Sequence, residues 1–149
     1  MKKIALLFLS VAIFTSVQLS AQIRKVPAEV TEAFKQKFPN ADKVEWKDKL
    51  TNFQASFNSG GAAYTAEFTT KGEWKETMKK IDSYDALPKA VKDGFEKSKY
   101  TDWTKGSVYW IENDDNKNVY RIYIEKSAVQ KLFLFFTKDG QLEKETPGV

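Results

Sequence analysis

No histidine and no cysteine occur among the 149 residues of this chain. The two absences exclude much of the commonest site chemistry: thiolate nucleophiles, serine–histidine pairs and the imidazole ligands of most zinc hydrolases. Without cysteine there is no disulfide either, so the fold rests on its core. Proline and glycine are sparse, at four and seven residues, and no stretch rich in either reads as a flexible linker. Long apolar runs are missing except at the N-terminus. Aromatic residues, by contrast, make up 14% of the chain.

The N-terminus has three parts. Lys2 and Lys3 are basic, Ile4 to Phe14 is an almost unbroken apolar run, and Leu19-Ser20-Ala21 precedes Gln22. This is the layout of a secretory signal peptide spanning residues 1–21, and the apolar run is shorter than the roughly 20 residues of a membrane span. The expected mature chain runs from Gln22 to Val149, in the periplasm or secreted, with no stable membrane anchor after cleavage. Loss of Lys2 and Lys3 from the 24 basic residues leaves an excess of two over the 20 acidic ones. Lys is dispersed among Glu and Asp, which speaks for a solvated surface and against a nucleic-acid partner.

Internal similarity organises the remainder. Val26-Pro27 opens a helical pattern with Val30, Phe34 and Phe38 four apart, and Leu87-Pro88 opens another with Val91 and Phe95. Proline suits a first helical position, where its missing N–H has no intrahelical partner to lose. Pro39-Asn40 is expected to end the first helix and Tyr100-Thr101-Asp102 the second. Gly94 weakens the second pattern. Strand-like segments follow each helix. Val44-Glu45-Trp46 corresponds to Val108-Tyr109-Trp110, Phe53–Phe57 to Tyr120–Ile124, and Tyr64–Phe68 to Leu132–Phe136. Turns at Lys71-Gly72 and Lys138-Asp139-Gly140 then lead to last strands carrying Trp74 and Leu142. The reading is an α+β fold, a tandem repeat of a helix plus a four-stranded antiparallel sheet. The first copy spans residues 22–81 and the second 82–149. The short connector at 82–86 favours packing as one domain.

Catalytic candidates are few. Asp114-Asp115, within Asn113–Asn118, could offer oxygen ligands to a hard cation. Asn and Asp equally suit a solvated turn, Lys117 would repel a cation, and the turn is the favoured reading. Gly60-Gly61 reads as a hairpin turn. No catalytic residue, metal site or cofactor is expected.

One face separates the copies. In the first, Val44, Trp46, Phe53, Ala55, Phe57, Tyr64, Ala66 and Phe68 would face the core, and the alternate positions Glu45, Lys47, Gln54, Ser56, Thr65 and Glu67 are all polar. The matching alternate positions of the second are Tyr109, Ile111, Arg121, Tyr123, Phe133 and Phe135. Five of these six are apolar or aromatic, and each large side chain left in water forgoes about 1.5–3 kcal/mol of burial. Two explanations stand. The residues pack against the other copy, the C-terminal tail or the segment before the first helix, or they form a partner surface with the composition of an interface core.

Val26-Pro27-Ala28, Phe38-Pro39-Asn40-Ala41, Val44-Glu45-Trp46 and Leu87-Pro88-Lys89-Ala90-Val91, in that order, resemble the PepSY-like periplasmic proteins of Bacteroidetes. The resemblance covers nearly all of the mature chain. It implies the fold of the β-lactamase inhibitor protein, tandem helix and four-strand units whose sheet offers a concave surface. PepSY domains occur in protease propeptides and are thought to restrain peptidases. This chain lacks the cysteines of the secreted inhibitors of that fold, and shared fold does not by itself carry activity. The expected function is an exported, non-catalytic binding domain, protein-binding or enzyme-restraining, whose partner is another envelope protein or a second copy of itself. The alternative is a periplasmic binder of a small molecule or peptide with an aromatic-lined site.

Overall fold

The computed structural model describes residues 24–115 and 117–148. The signal-peptide reading of residues 1–21 lies outside them. Helix α1 (Ala28–Lys37) is followed by β1 (Asp42–Asp48), β2 (Asn52–Ser59), β3 (Ala62–Thr69) and β4 (Trp74–Ile81). A 3-10 turn at Tyr84–Ala86 then leads into α2 (Lys89–Glu96), β5 (Thr104–Asn113), β6 (Asn118–Ser127), β7 (Gln130–Thr137) and β8 (Leu142–Pro147). The strands form a single eight-stranded antiparallel sheet in sequence order, β1 to β8.

The helices form where apolar side chains recur one turn apart. Val30 and Phe34 bury one stripe of α1, and Val91 and Phe95 one stripe of α2. Pro27 and Pro88, expected at the first helical positions, instead occupy the N-caps, one residue before the helices begin at Ala28 and Lys89. Extended backbone at each proline still costs no intrahelical bond. The first helix stops at Phe38, whose N–H donates to the Phe34 carbonyl at 2.8 Å, because Pro39 cannot continue it. The second ends at Glu96, earlier than the Tyr100-Thr101-Asp102 expectation. The chain turns there and buries Tyr100, 5% exposed, against Trp103 with ring centroids 5.3 Å apart.

Alternation places the strands. Phe53, Ala55 and Phe57 of β2 and Ala66 and Phe68 of β3 join Val30 and Phe34 in one core, with Trp46, Tyr64 and Trp74 packed at its margin. Val108, Ile122, Ile124, Leu134 and Phe136 join Leu87, Val91, Phe95 and Tyr100 in a second. Gly60 and Gly61, both at positive φ, close the β2–β3 hairpin in two residues, as a primed turn requires. Val44 departs from the expectation. A bulge between Asp42 and Glu45, with Lys43 at φ 49°, inserts an extra residue, and Val44 is 37% exposed. An inserted residue reverses the facing of what precedes it.

Strand β4 pairs with β5 from Glu76–Asn113 to Ile81–Val108. Directly opposed residues share a face. The row Tyr64–Lys79–Trp110–Tyr120 across β3 to β6 therefore puts both cores, and both helices, on one side of the sheet. Among the described residues, the other side carries no helix.

Candidate functional site

The open face is built by the strand residues that alternate with the two cores. Across β4 to β8 it carries the row Lys80–Tyr109–Arg121–Phe135–Lys144, and beside it Met78–Ile111–Val119–Thr137 and Tyr123–Phe133–Thr146. All six residues singled out in the sequence lie here together. Tyr109, Arg121, Tyr123, Phe133 and Phe135 are partly exposed. Ile111 is only 6% exposed, flanked across the strands by Met78 and Val119. Among the described residues, the segments that could cover the face are engaged elsewhere. Arg24, just before α1, bonds Asp48 at 2.7 Å and stacks on the core residue Phe53 at 4.7 Å. The C-terminal tail is β8 itself, paired beside β7.

Arg121 organises the patch. Its guanidinium lies 4.8 Å from the Tyr109 ring centroid and 4.8 Å from that of Phe133, the distance range of cation–π attraction. Tyr123 packs on Phe133 with centroids 5.5 Å apart and donates its hydroxyl to Glu125 at 2.9 Å. Lys144 stands 5.6 Å over Phe135. Burial lowers the Arg121 pKa, with Tyr109 and Glu76 acting in the opposite direction, and the group stays charged. Arg121 is therefore a partly desolvated cation held by aromatic rings, with its N–H fork unclaimed among the described residues.

The first half of the face differs in kind. Glu67 accepts from Gln54 at 3.0 Å and from Asn52, so these polar groups satisfy one another. Glu76 of β4 borders the aromatic half. Burial, and secondarily the Glu67 carboxylate, raises its pKa, while Arg121 lowers it. The folded chain thus holds this proton more tightly than the unfolded chain does. That stabilisation is present below the unfolded pKa and lost as pH rises through the folded value. Glu76→Gln is expected to raise the urea midpoint above wild type at pH 7 and to show no such advantage near pH 3.5. Parallel denaturation curves at the two pH values measure it.

Sequence reasoning missed Glu76, Met78 and Val119 as members of the face. Val119 was open to detection, since it precedes Arg121 by two in an alternating strand. Glu76 and Met78 depend on the β4–β5 pairing, for which no local signal exists. The Asp114 turn is engaged internally. Its carboxylate accepts from Lys75 at 2.6 Å, and that bond lowers its pKa.

An α+β architecture with two helices on one side of an eight-stranded antiparallel sheet, and a bare aromatic patch on the other, defines the class. The chain belongs to the beta-lactamase-inhibitor-like, PepSY-like family, whose profile matches residues 51–144. Solved structures share the fold. A BLIP-like protein of Bacteroides fragilis superposes with TM-score 0.77 at 24% identity, over 85% of this chain and 89% of that one. A DUF2874 family protein of Bacteroides ovatus gives 0.76 at 27% identity, over 83% and 88%. A protein of Bacteroides eggerthii, provisionally described as periplasmic, gives 0.73 at 24% identity, over 83% and 89%. No curated protein matches the chain.

Proposed function

We propose that the protein is exported to the periplasm, loses residues 1–21, and acts there as a non-catalytic binding protein whose open sheet face docks on another envelope protein. The observation that carries this reading is Arg121, held between Tyr109 and Phe133 in an aromatic face, with no hydrogen-bond acceptor of its own among the described residues. A partly buried cation without an acceptor is costly in isolation and useful when a partner supplies one. Aromatic anchors around a single arginine have the composition that dominates interface energetics. Restraint of an enzyme is the form of binding that fits best, because one structural relative is described as BLIP-like and the family as beta-lactamase-inhibitor-like. We read the order of one helix and four strands, twice, as a duplication. On that reading residues 22–81 and 82–149 are two copies fused through β4–β5 into one domain, and only the second copy turned its outer face into a contact surface.

The double variant Tyr123→Glu, Phe133→Glu replaces two surface aromatics without touching either core. Cross-linking in envelope extract followed by affinity capture is expected to lose the specific partner, with the circular dichroism spectrum unchanged. Identical partner lists from wild type and a folded variant would count against the face.

A further inference from the structure

The helix-bearing side of the sheet holds a second feature. Between the two cores lies a cleft of about 1110 Å³. Its floor is the row Tyr64, Lys79, Trp110 and Tyr120, and Asn40, Asn58 and Ser59 stand among its lining residues. Three interstrand spacings of about 4.8 Å make that row roughly 14 Å long. Tyr64 packs at the margin of one core and Tyr120 at the margin of the other. Trp110 belongs to neither, although its counterpart Trp46 packs against the first core. A tryptophan that stays partly exposed between two cores leaves a large stacking surface unused.

The lining discriminates among ligands. An extended peptide gains affinity by adding a strand to a free sheet edge. This floor is mid-sheet, and the backbones of β3 to β6 are committed to one another on both sides. A lipid chain would meet Lys79 at the centre of the floor and the charged Asp42, Lys43 and Asp82 around it, an unfavourable exchange for an apolar tail. A pyranose ring suits both parts, because its C–H face stacks on aromatic rings and its hydroxyl rim takes donors and acceptors of the kind that Asn40, Asp42, Ser59 and Asp82 supply. We propose that the cleft is a binding site for a short oligosaccharide, stacked on Trp110 and spanning the row from Tyr64 to Tyr120. The cleft reaches the open face at Asn58 and Lys80 but is not lined by Tyr109, Arg121, Tyr123 or Phe133.

The test is a titration of the purified, isotope-labelled protein with chitotriose, cellotriose and, separately, trialanine, read from indole and amide NMR signals. At least one trisaccharide is expected to shift the Trp110 indole and the Asn58 amide saturably, while trialanine shifts neither. Trp110→Ala should weaken binding about tenfold or more, which corresponds to 1.4 kcal/mol. Trp110→Phe, which keeps a smaller ring and guards against misfolding of the alanine variant, should lose less. Tyr123→Glu, Phe133→Glu should bind sugar as wild type does. Silence toward both trisaccharides, a response to trialanine alone, or unchanged affinity in a folded Trp110→Ala protein would overturn the proposal.

Discussion

Replacing Phe95 with alanine is expected to remove about 3–5 kcal/mol of folding stability, the usual cost of deleting a fully buried phenylalanine ring. Phe95 is 0% exposed. Its ring meets Tyr84 edge-on at 5.4 Å and Phe136 at 6.4 Å, and the Lys105 ammonium lies 4.9 Å over it. The ring thus joins α2, the connector and β7, which cannot all close on the vacated space. Against a total stability of about 5–15 kcal/mol, such a loss leaves a marginal protein. Urea denaturation followed by tryptophan fluorescence measures it. The shape of the curve is also informative. Because β4 and β5 are hydrogen-bonded neighbours, a single cooperative transition shifted to lower urea is expected. Two separated transitions would show that the halves unfold independently.

The second large effect runs against helix propensity. Gly94 lies inside α2, where alanine ordinarily gains about 0.5–1 kcal/mol. Here Gly94→Ala is expected to destabilise, by about 1–3 kcal/mol or more. A β-carbon at Gly94 would sit 2.0 Å from the Gly140 carbonyl oxygen and 2.8 Å from its carbonyl carbon. Both are backbone atoms of the β7–β8 turn and cannot swing aside as a side chain would. The contact is reciprocal, since a β-carbon at Gly140, which also stands at φ 85°, would fall 2.0 Å from the Ala90 carbonyl oxygen. The β3–β4 turn approaches α1 in the same way, since a β-carbon at Gly72 would fall 2.6 Å from the Glu29 carbonyl oxygen, but the α1 position equally spaced from its proline is Ala33, so only α2 meets its turn with a helical glycine as well. Thermal and urea midpoints of Gly94→Ala decide the sign; a midpoint at or above wild type would mean that the turn yields without cost.

Gly94 also illustrates what the sequence could tell. Read locally it weakens a helix, and only the distant Gly140 explains its presence. The same division runs through the molecule. The four-residue spacing of Val30, Phe34 and Phe38 and the alternation of Phe53, Ala55 and Phe57 are local patterns, so helices, strands and core faces were legible. The bulge at Lys43 was not, because nothing in Asp-Lys-Val marks an extra residue, and Val44 consequently leaves the core. The aromatic positions of β5 to β7 were legible as one face because alternation groups them within strands. Their extension to Glu76 and Met78, and the placement of Trp110 in a cleft, follow from which strand lies beside β5. That is a tertiary fact written in no short window.

The sequential strand order has a kinetic consequence. Every strand in the sheet neighbours the one made just before it, and only the β4–β5 link, which contains α2, spans more than a short turn. Closing a loop costs entropy that grows with its length, and topologies rich in local pairings fold faster than those that must bring distant strands together. On the export route proposed above, each strand can find its template among residues that have already emerged. The sheet can thus grow from one edge to the other without waiting for the C-terminus.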